Sequence, residues 1–400
     1  MEGAHGLRLG GAFATVIPMK VAFLLQDTRT LYGAEQATVR LVEGLAAAGV
    51  SVHVLLLREI RMGAGGSPLA EALRRRAPVE EISVRGRFSR LAIQRIRDFM
   101  AREKVDVLHS TGYKADWHAG FASKWGALFP VVSTVHGWLF RWNVKERFFQ
   151  ALNIRALRRF SRVIVLCDFY ESYLRRCGLN PLQLAHIPTG VRAEEIVSRA
   201  DARALWEMPG EVFTFGLLGR LSSEKNHGLL LRAARRLADD LDTSPRSWRI
   251  LIAGEGPLRA RLEKRIARLG LSDRVELSGW KAAPDFFRRV HVLVQCSRVE
   301  NQPLSVMEAM AWMRPVIATR AGGLPELVED GTTGRLVRKG SARALAAAMK
   351  ECLVEPDKVH AAGLRARDRL DRDFPFDRMV GDHLGLYAAE CDRTIPGFWG

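Results

Sequence analysis

The chain has 400 residues, 48% hydrophobic and 26% charged, a length that exceeds one ordinary core and a composition that excludes a disordered protein. No apolar run reaches the roughly eighteen residues of a membrane span, and five scattered cysteines without a Cys-x-x-Cys pair argue for a reducing compartment and against a structural zinc site. A net charge of +17 suits nucleic acid, anionic lipid or a phosphorylated substrate, and charge alone does not choose among them.

Residues 1–18, with an acid, a histidine and scattered glycines, make a poor signal peptide and read as a flexible extension. From Lys20, short Val/Leu/Ile-rich runs alternate with amphipathic stretches. The order is VAFLLQ, a helix from Gly33 to Gly49, VHVLLL, a helix near 68–77, VEEISV and a helix near 89–103. VDVLHS, a helix near 113–127, PVVSTVH, a basic helix near 143–160, VIVLC, a helix near 168–177 and LAHIP complete a first domain over residues 19–188. Residues 189–210 lack an apolar run and read as a linker. The pattern restarts over 211–375 with VFTFGLLGR, WRILIAG, RVELSG, HVLVQC, PVIAT and GRLVR, and residues 376–400 add a last helix. Near-continuous apolar strands separated by helices mean parallel sheets covered on both faces. Two such Rossmann-like halves place a ligand cleft at the carboxyl ends of their strands.

The densest motif is HVLVQCSRVENQPLSVMEAMAWMRPVIATRAGGLPE, residues 291–326. It reads as a strand (291–295), a loop holding Glu300, a helix with Pro303 in its first position, a strand (315–318) and a Gly-Gly turn. The helix start formed by Pro303, Leu304 and Ser305 suits an anion such as a diphosphate, through the free N–H groups of Leu304 and Ser305 and the positive end of the helix dipole, and Glu308 lies more than one turn inside, where it can meet a neutral hydroxyl. Arg220 and Lys225 flank a strand-to-helix turn after Gly219, so both cations reach one pocket or simply decorate a basic surface. Gly254-Glu255-Gly256 is a tight turn after a strand, a weak signal alone.

In the first domain, Gly33 beside Glu35 is either a phosphate-approach site or an ordinary helix start. His136 ends a strand at the cleft mouth, and a lone histidine there is as readily structural. After it, aromatics including Trp138, Trp142, Phe148 and Phe149 interleave with Lys145 and Arg147. They suit either a membrane interface or a helix packing its rings inward. Lys114 either meets a phosphorylated acceptor or is solvated. Asp371 and Asp373 read as solvated, and no metal is expected.

The Glu-x7-Glu spacing, Pro303, the EAMA run and the GGLPE turn together resemble the nucleotide-binding signature of the retaining glycosyltransferases of family 4, whose GT-B fold pairs two Rossmann-like domains across a cleft. The other motifs follow in the family's order. The resemblance implies that Glu308 binds ribose hydroxyls, Glu300 the donor sugar, and Arg220 and Lys225 the diphosphate with Gly219 beside them. It places Gly254, Glu255 and Gly256 near the nucleobase, His136 near the reacting sugar, and Gly33 at the phosphate side. The family more often has Gly-Gly where this chain has Tyr32-Gly33, and often Gly-Phe where it has Asn301-Gln302. Implied partners are a UDP- or GDP-linked sugar and a saccharide acceptor; the basic charge with interfacial aromatics adds the expectation of a lipid-linked acceptor of cell-surface polysaccharide synthesis and of peripheral contact to anionic membrane on the cytoplasmic side. No cofactor is expected. A nucleotide-sugar-binding protein without catalysis is one alternative. A basic nucleic-acid binder is another, although no recognition motif accompanies the charge.

Overall fold

The computed structural model describes residues 19–28, 31–62, 65–86, 88–138, 144–206, 212–240 and 247–392. The extension expected over 1–18 and the end of the expected linker, 207–210, lie outside the described residues. The first sheet comprises β1 (Lys20–Gln26), β2 (Ser51–Glu59), β3 (Val79–Val84), β4 (Val107–Thr111), β5 (Val131–Val135), β6 (Arg162–Val165) and β7 (Leu184–His186). All are parallel, in the order β3-β2-β1-β4-β5-β6-β7. The second comprises β8 (Phe213–Leu218), β9 (Trp248–Ala253), β10 (Val275–Gly279), β11 (Val292–Gln295), β12 (Val316–Thr319) and β13 (Gly334–Val337), also parallel, in the order β10-β9-β8-β11-β12-β13.

Burial on both faces explains why these strands read as unbroken apolar runs. In β1, Ala22 and Leu24 enter one core, while Val21, Phe23 and Leu25 enter another on the opposite face. In β9, Ile250 and Ile252 point one way and Leu251 and Ala253 the other. Side chains alternate with a period of two, so each strand needs apolar residues at every position. Each sheet reverses its order once, between β1 and β4 and between β8 and β11. A crevice opens outside the carboxyl ends at such reversals.

The stretch expected to be a linker holds two short helices, Ala193–Ile196 and Arg199–Ala204, whose Ala193, Val197 and Ala202 join a core of the second sheet. Small alanines rather than a long apolar run do the packing, so the hydrophobic pattern did not show it. The helix Phe376–Cys391 buries Phe376, Met379, Val380 and Tyr387 in a core of the first sheet. The chain therefore crosses between the sheets twice. The crossings run side by side, with the Val191 N–H donating to Phe374 O at 3.0 Å. The helix expected over 113–127 ends at Ala122, because Lys124, Trp125 and Gly126 all take positive φ. Among the described residues no helix is long and apolar enough to cross a membrane.

Candidate functional site

On the second sheet, loops at the carboxyl ends of β8, β9, β11 and β12 converge. The loops after β8 and β9 are zipped by backbone bonds from Gly219 N–H to Ala253 O (2.9 Å) and from Leu221 N–H to Glu255 O (2.9 Å). Gly254 is required there, since a Cβ on it would lie 2.0 Å from Gly219 O. This seat presents Lys225 beside Glu300: Lys225 Nζ donates to Glu300 Oε1 at 2.6 Å. Ser297 Oγ (2.7 Å) and Gln295 Nε2 (2.8 Å) donate to the same oxygen. Glu300 Oε2 has no hydrogen bond among the described residues, and it is the oxygen left to accept from a ligand hydroxyl. Arg220 is exposed at the same turn, and its guanidinium has no hydrogen bond or ion pair among the described residues.

The helix after Glu300 runs Leu304–Ala311. Pro303, expected inside it, instead precedes it as the extended capping residue (φ −71°, ψ 123°). The free N–H groups of the helix start are those of Leu304 and Ser305, and the Ser305 hydroxyl is buried without a hydrogen-bond partner among the described residues. An unpaired donor at a helix N-terminus suits an anion. Burial pushes the Glu308 carboxyl up to about 7, partly offset by the charge of Arg40 on the helix Gly33–Ala47 of the first domain. Gly33 opens that helix and lies against Leu304, its ideal Cβ 3.9 Å from Leu304 Cγ. The two helix starts thus meet across the cleft. Glu255 is exposed and paired with Arg259 at 3.4 Å.

Since the folded state holds the Glu308 proton above the ordinary 4.5, this carboxyl weakens stability as pH rises from that value through 7. Its ionised form is the better acceptor for a hydroxyl. Calorimetric affinity for a nucleoside diphosphate should therefore strengthen between pH 6 and 8, about the value given for Glu308, and Glu308→Gln should flatten that slope. An equal slope in the variant would remove Glu308 from the nucleotide contact.

In the first sheet, His136 follows β5 and lines a cavity of about 240 Å³ with Gln26, Thr28, Glu35, Gly137, Trp138 and Asp116. Burial, reinforced by His383 of the last helix, pushes the His136 imidazole down to about 4, so it is neutral at physiological pH. Asp116 was not singled out from the sequence. Its Oδ1 accepts from Ser110 Oγ (2.7 Å) and Ser133 Oγ (2.8 Å), its Oδ2 from Asn153 Nδ2 (2.7 Å), and burial raises its pKa to about 6. The signal was YKAD on a helix after a strand, which is indistinguishable from a surface helix until β5 supplies Ser133. Asp116→Asn should lower stability by about 1–3 kcal/mol in chemical denaturation, because an amide offers one oxygen where the carboxylate offers two, and either the Ser110 and Ser133 hydroxyls or the Asn153 amide loses its buried acceptor.

Two residues assigned to an acceptor or membrane face sit elsewhere. Lys114 is fully buried: its ammonium pairs with Glu59 and donates to Gly86 O at 3.1 Å, so it neither is solvated nor meets an acceptor. The strand end of β2 supplies the counter-charge, which no local sequence pattern announces. Trp138 is half-buried, packs on Tyr170 and Tyr173 and donates from Nε1 to Asn153 Oδ1 at 3.3 Å, facing the cavity rather than a membrane. Arg147 and Phe148 are exposed on the helix Val144–Leu157, while Phe149 packs against Tyr113. Trp142 and the side chain of Lys145 lie outside the described residues. Asp371 and Asp373, expected to be solvated, pair with arginines, Asp371 with Arg199 and Arg367 and Asp373 with Arg372. Asp168, Glu171 and His186 bring their ligand atoms within 4.8 Å of one another, close to Glu326 of the second domain. Burial and the neighbouring Asp168 raise Glu326 to about 7.

Two facing Rossmann-like domains, with a cation, a carboxylate and a helix N-terminus on one wall of the cleft and a histidine-lined cavity on the other, define the GT-B class of transferase. Residues 212–355 match the model for glycosyl transferases group 1, and residues 32–195 match that for glycosyltransferase family 4. The chain belongs to these glycosyltransferases. It is 29% identical over 230 residues to the putative colanic acid biosynthesis glycosyltransferase WcaL of Salmonella typhimurium, covering 55% of this chain and 54% of that protein. Against the UDP-Gal:alpha-D-GlcNAc-diphosphoundecaprenol alpha-1,3-galactosyltransferase of Escherichia coli it is 26% identical over 248 residues, 60% of this chain and 64% of that one. The chain spans about half the length of the first curated relatives it matches. Its fold is similar to that of Anabaena HepE in complex with UDP and glucose (TM-score 0.76, 23% identity, 93% of this chain and 100% of that one).

Proposed function

We propose that the protein transfers a sugar, with retention and without a metal ion, from a UDP- or GDP-linked donor to a saccharide or lipid-linked saccharide acceptor in cell-surface polysaccharide synthesis. The observation that carries this reading is the single constellation of Lys225, Glu300 and the start of the helix Leu304–Ala311. Departure of a nucleoside diphosphate builds negative charge that Lys225, Arg220 and the Leu304 and Ser305 N–H groups stabilise. Glu300 Oε2 orients the donor sugar, Glu308 holds the ribose, and the Gly254–Gly256 turn flanks the base. Neutral His136 accepts from or donates to sugar hydroxyls beside the first-domain cavity, which receives the acceptor.

The basic surface, with Arg147 and Phe148 side by side and exposed, supports peripheral binding to anionic lipid at the cytoplasmic membrane face. Domain boundaries near residues 188 and 211, with the last helix returning at 376, fit this division of labour. The test is a thermal-shift panel of UDP, GDP, ADP and their sugar conjugates, with and without EDTA, beside a polyanion. A donor nucleotide at about a hundred times its Kd should add roughly 2.7 kcal/mol to stability. An EDTA-insensitive shift with one base supports the reading; a shift with the polyanion alone overturns it.

A further inference from the structure

Glu300 and His136 stand on different domains, and the residues next to each of them are bonded to one another. Asn301, buried, donates from Nδ2 to Val135 O at 2.9 Å and accepts at Oδ1 from the Cys167 thiol at 3.1 Å. Gln302, also buried, accepts at Oε1 from the Thr189 N–H at 2.6 Å. Val135 ends β5, Cys167 follows β6 and Thr189 follows β7, so one dipeptide reaches the carboxyl ends of three successive strands of the opposite sheet. We infer that Asn301 and Gln302 are positioning residues that fix Glu300 against His136 across the cleft.

Three features support a positioning role over simple adhesion between domains. The attachment is one residue from a proposed reactive group on each side: Asn301 follows Glu300, and Val135 precedes His136. The dipeptide itself is seated on backbone, since Gly323 donates its N–H to Glu300 O at 3.2 Å and an added Cβ there would lie 2.3 Å from Asn301 O and 2.9 Å from Cys167 Cβ. Gln302 leaves Nε2 buried without a partner among the described residues, an expense that a residue selected only for packing would avoid. Neither glycine nor phenylalanine, the residues the family resemblance leads one to expect, makes any of these side-chain bonds. The bonds are short, neutral and shielded from water, so they fix separation without adding charge to the cleft.

The inference rests on the transferase reading, and the test separates the two. Asn301→Gly and Gln302→Leu are compared with the full-length wild type. In hydrogen exchange without ligand, Gln302→Leu should speed the Thr189 amide about tenfold, the loss of one buried bond. Unchanged exchange means the bond is absent and overturns the inference. Nucleotide release from UDP-glucose, UDP-galactose and GDP-mannose is then followed with water as acceptor. Asn301→Gly should lower kcat about tenfold or more on the best of these, with calorimetric Kd for its free nucleotide changed by less than about twofold. Faster exchange with kcat unchanged or raised makes the contact an adhesive or a water barrier and overturns positioning. If the wild type binds a nucleotide but releases none from any sugar conjugate, the transferase reading falls, and the positioning role falls with it.

Discussion

Replacing Lys225 with alanine should slow nucleotide release from the donor sugar by about a hundredfold or more, roughly 3 kcal/mol of lost transition-state stabilisation. The side chain is held where charge would develop: the Ser223–Lys225 turn is tied to the loop after β11 by Arg298 N–H donating to Glu224 O at 2.8 Å, and Nζ reaches Glu300 Oε1 at 2.6 Å. Removing the ammonium has two consequences. The leaving diphosphate loses a fixed cation in a cleft partly closed to water, where such a charge acts most strongly. Glu300 also keeps only the neutral donors Ser297 and Gln295, and so repels the anionic donor that Lys225 had made welcome.

Glu300→Gln should likewise cost at least about tenfold in kcat, and the double variant should lose less than the product of the two, because the pair acts as one unit. Steady-state release assays on the four proteins give this directly. Strict multiplication of the two losses would mean the residues serve separate steps. A loss under about threefold for Lys225→Ala would return the transition-state charge to Arg220 and the helix N-terminus.

What was legible in the sequence follows from physical range. Doubly buried parallel strands write themselves as apolar runs, so both sheets and most helices could be read from order alone. The Lys225 and Glu300 motifs were legible because each sits at a strand end followed by turn chemistry. Partnerships made only by tertiary folding were not. Lys114 looks like any surface lysine until β2 carries Glu59 to it, and Asp116 looks like a helix-start acid until Ser133 and Asn153 surround it. Trp138 beside Trp142 and Arg147 reads as an interfacial cluster, yet its indole N–H finds Asn153 inside the domain. Asn301 and Gln302 were visible only as departures from a pattern. Their bonds to Val135, Cys167 and Thr189 cross between domains, and local sequence carries no information about that distance.

Gly322→Ala should destabilise the protein by about 3–5 kcal/mol, left-handed strain and overpacking acting together, and should abolish nucleotide binding in the same step. Gly322 adopts φ +58°, and an added Cβ would lie 1.8 Å from Glu300 O and 3.1 Å from Glu300 N. The obstacle is backbone, which no rotamer change removes. Either the Gly322–Gly323 turn or the Glu300 loop must move, and both lie at the domain junction through Asn301. Displacing Glu300 draws its carboxylate from Lys225, so loss of stability and loss of ligand have one cause. Gly340→Ala separates the two contributions, because Gly340 has a similar φ of +80° but nothing within 4 Å of the added Cβ. That control should lose only about 1–2 kcal/mol and keep its nucleotide affinity. Thermal denaturation with and without UDP or GDP, whichever the wild type binds, measures both. Gly322→Ala should melt roughly 10 °C lower and show no ligand shift, since each kcal/mol moves Tm by about 2–4 °C in a domain of this size. Should it melt like Gly340→Ala and still respond to nucleotide, the Glu300 loop yields easily, and the rigid seat on which the proposed chemistry depends is not there.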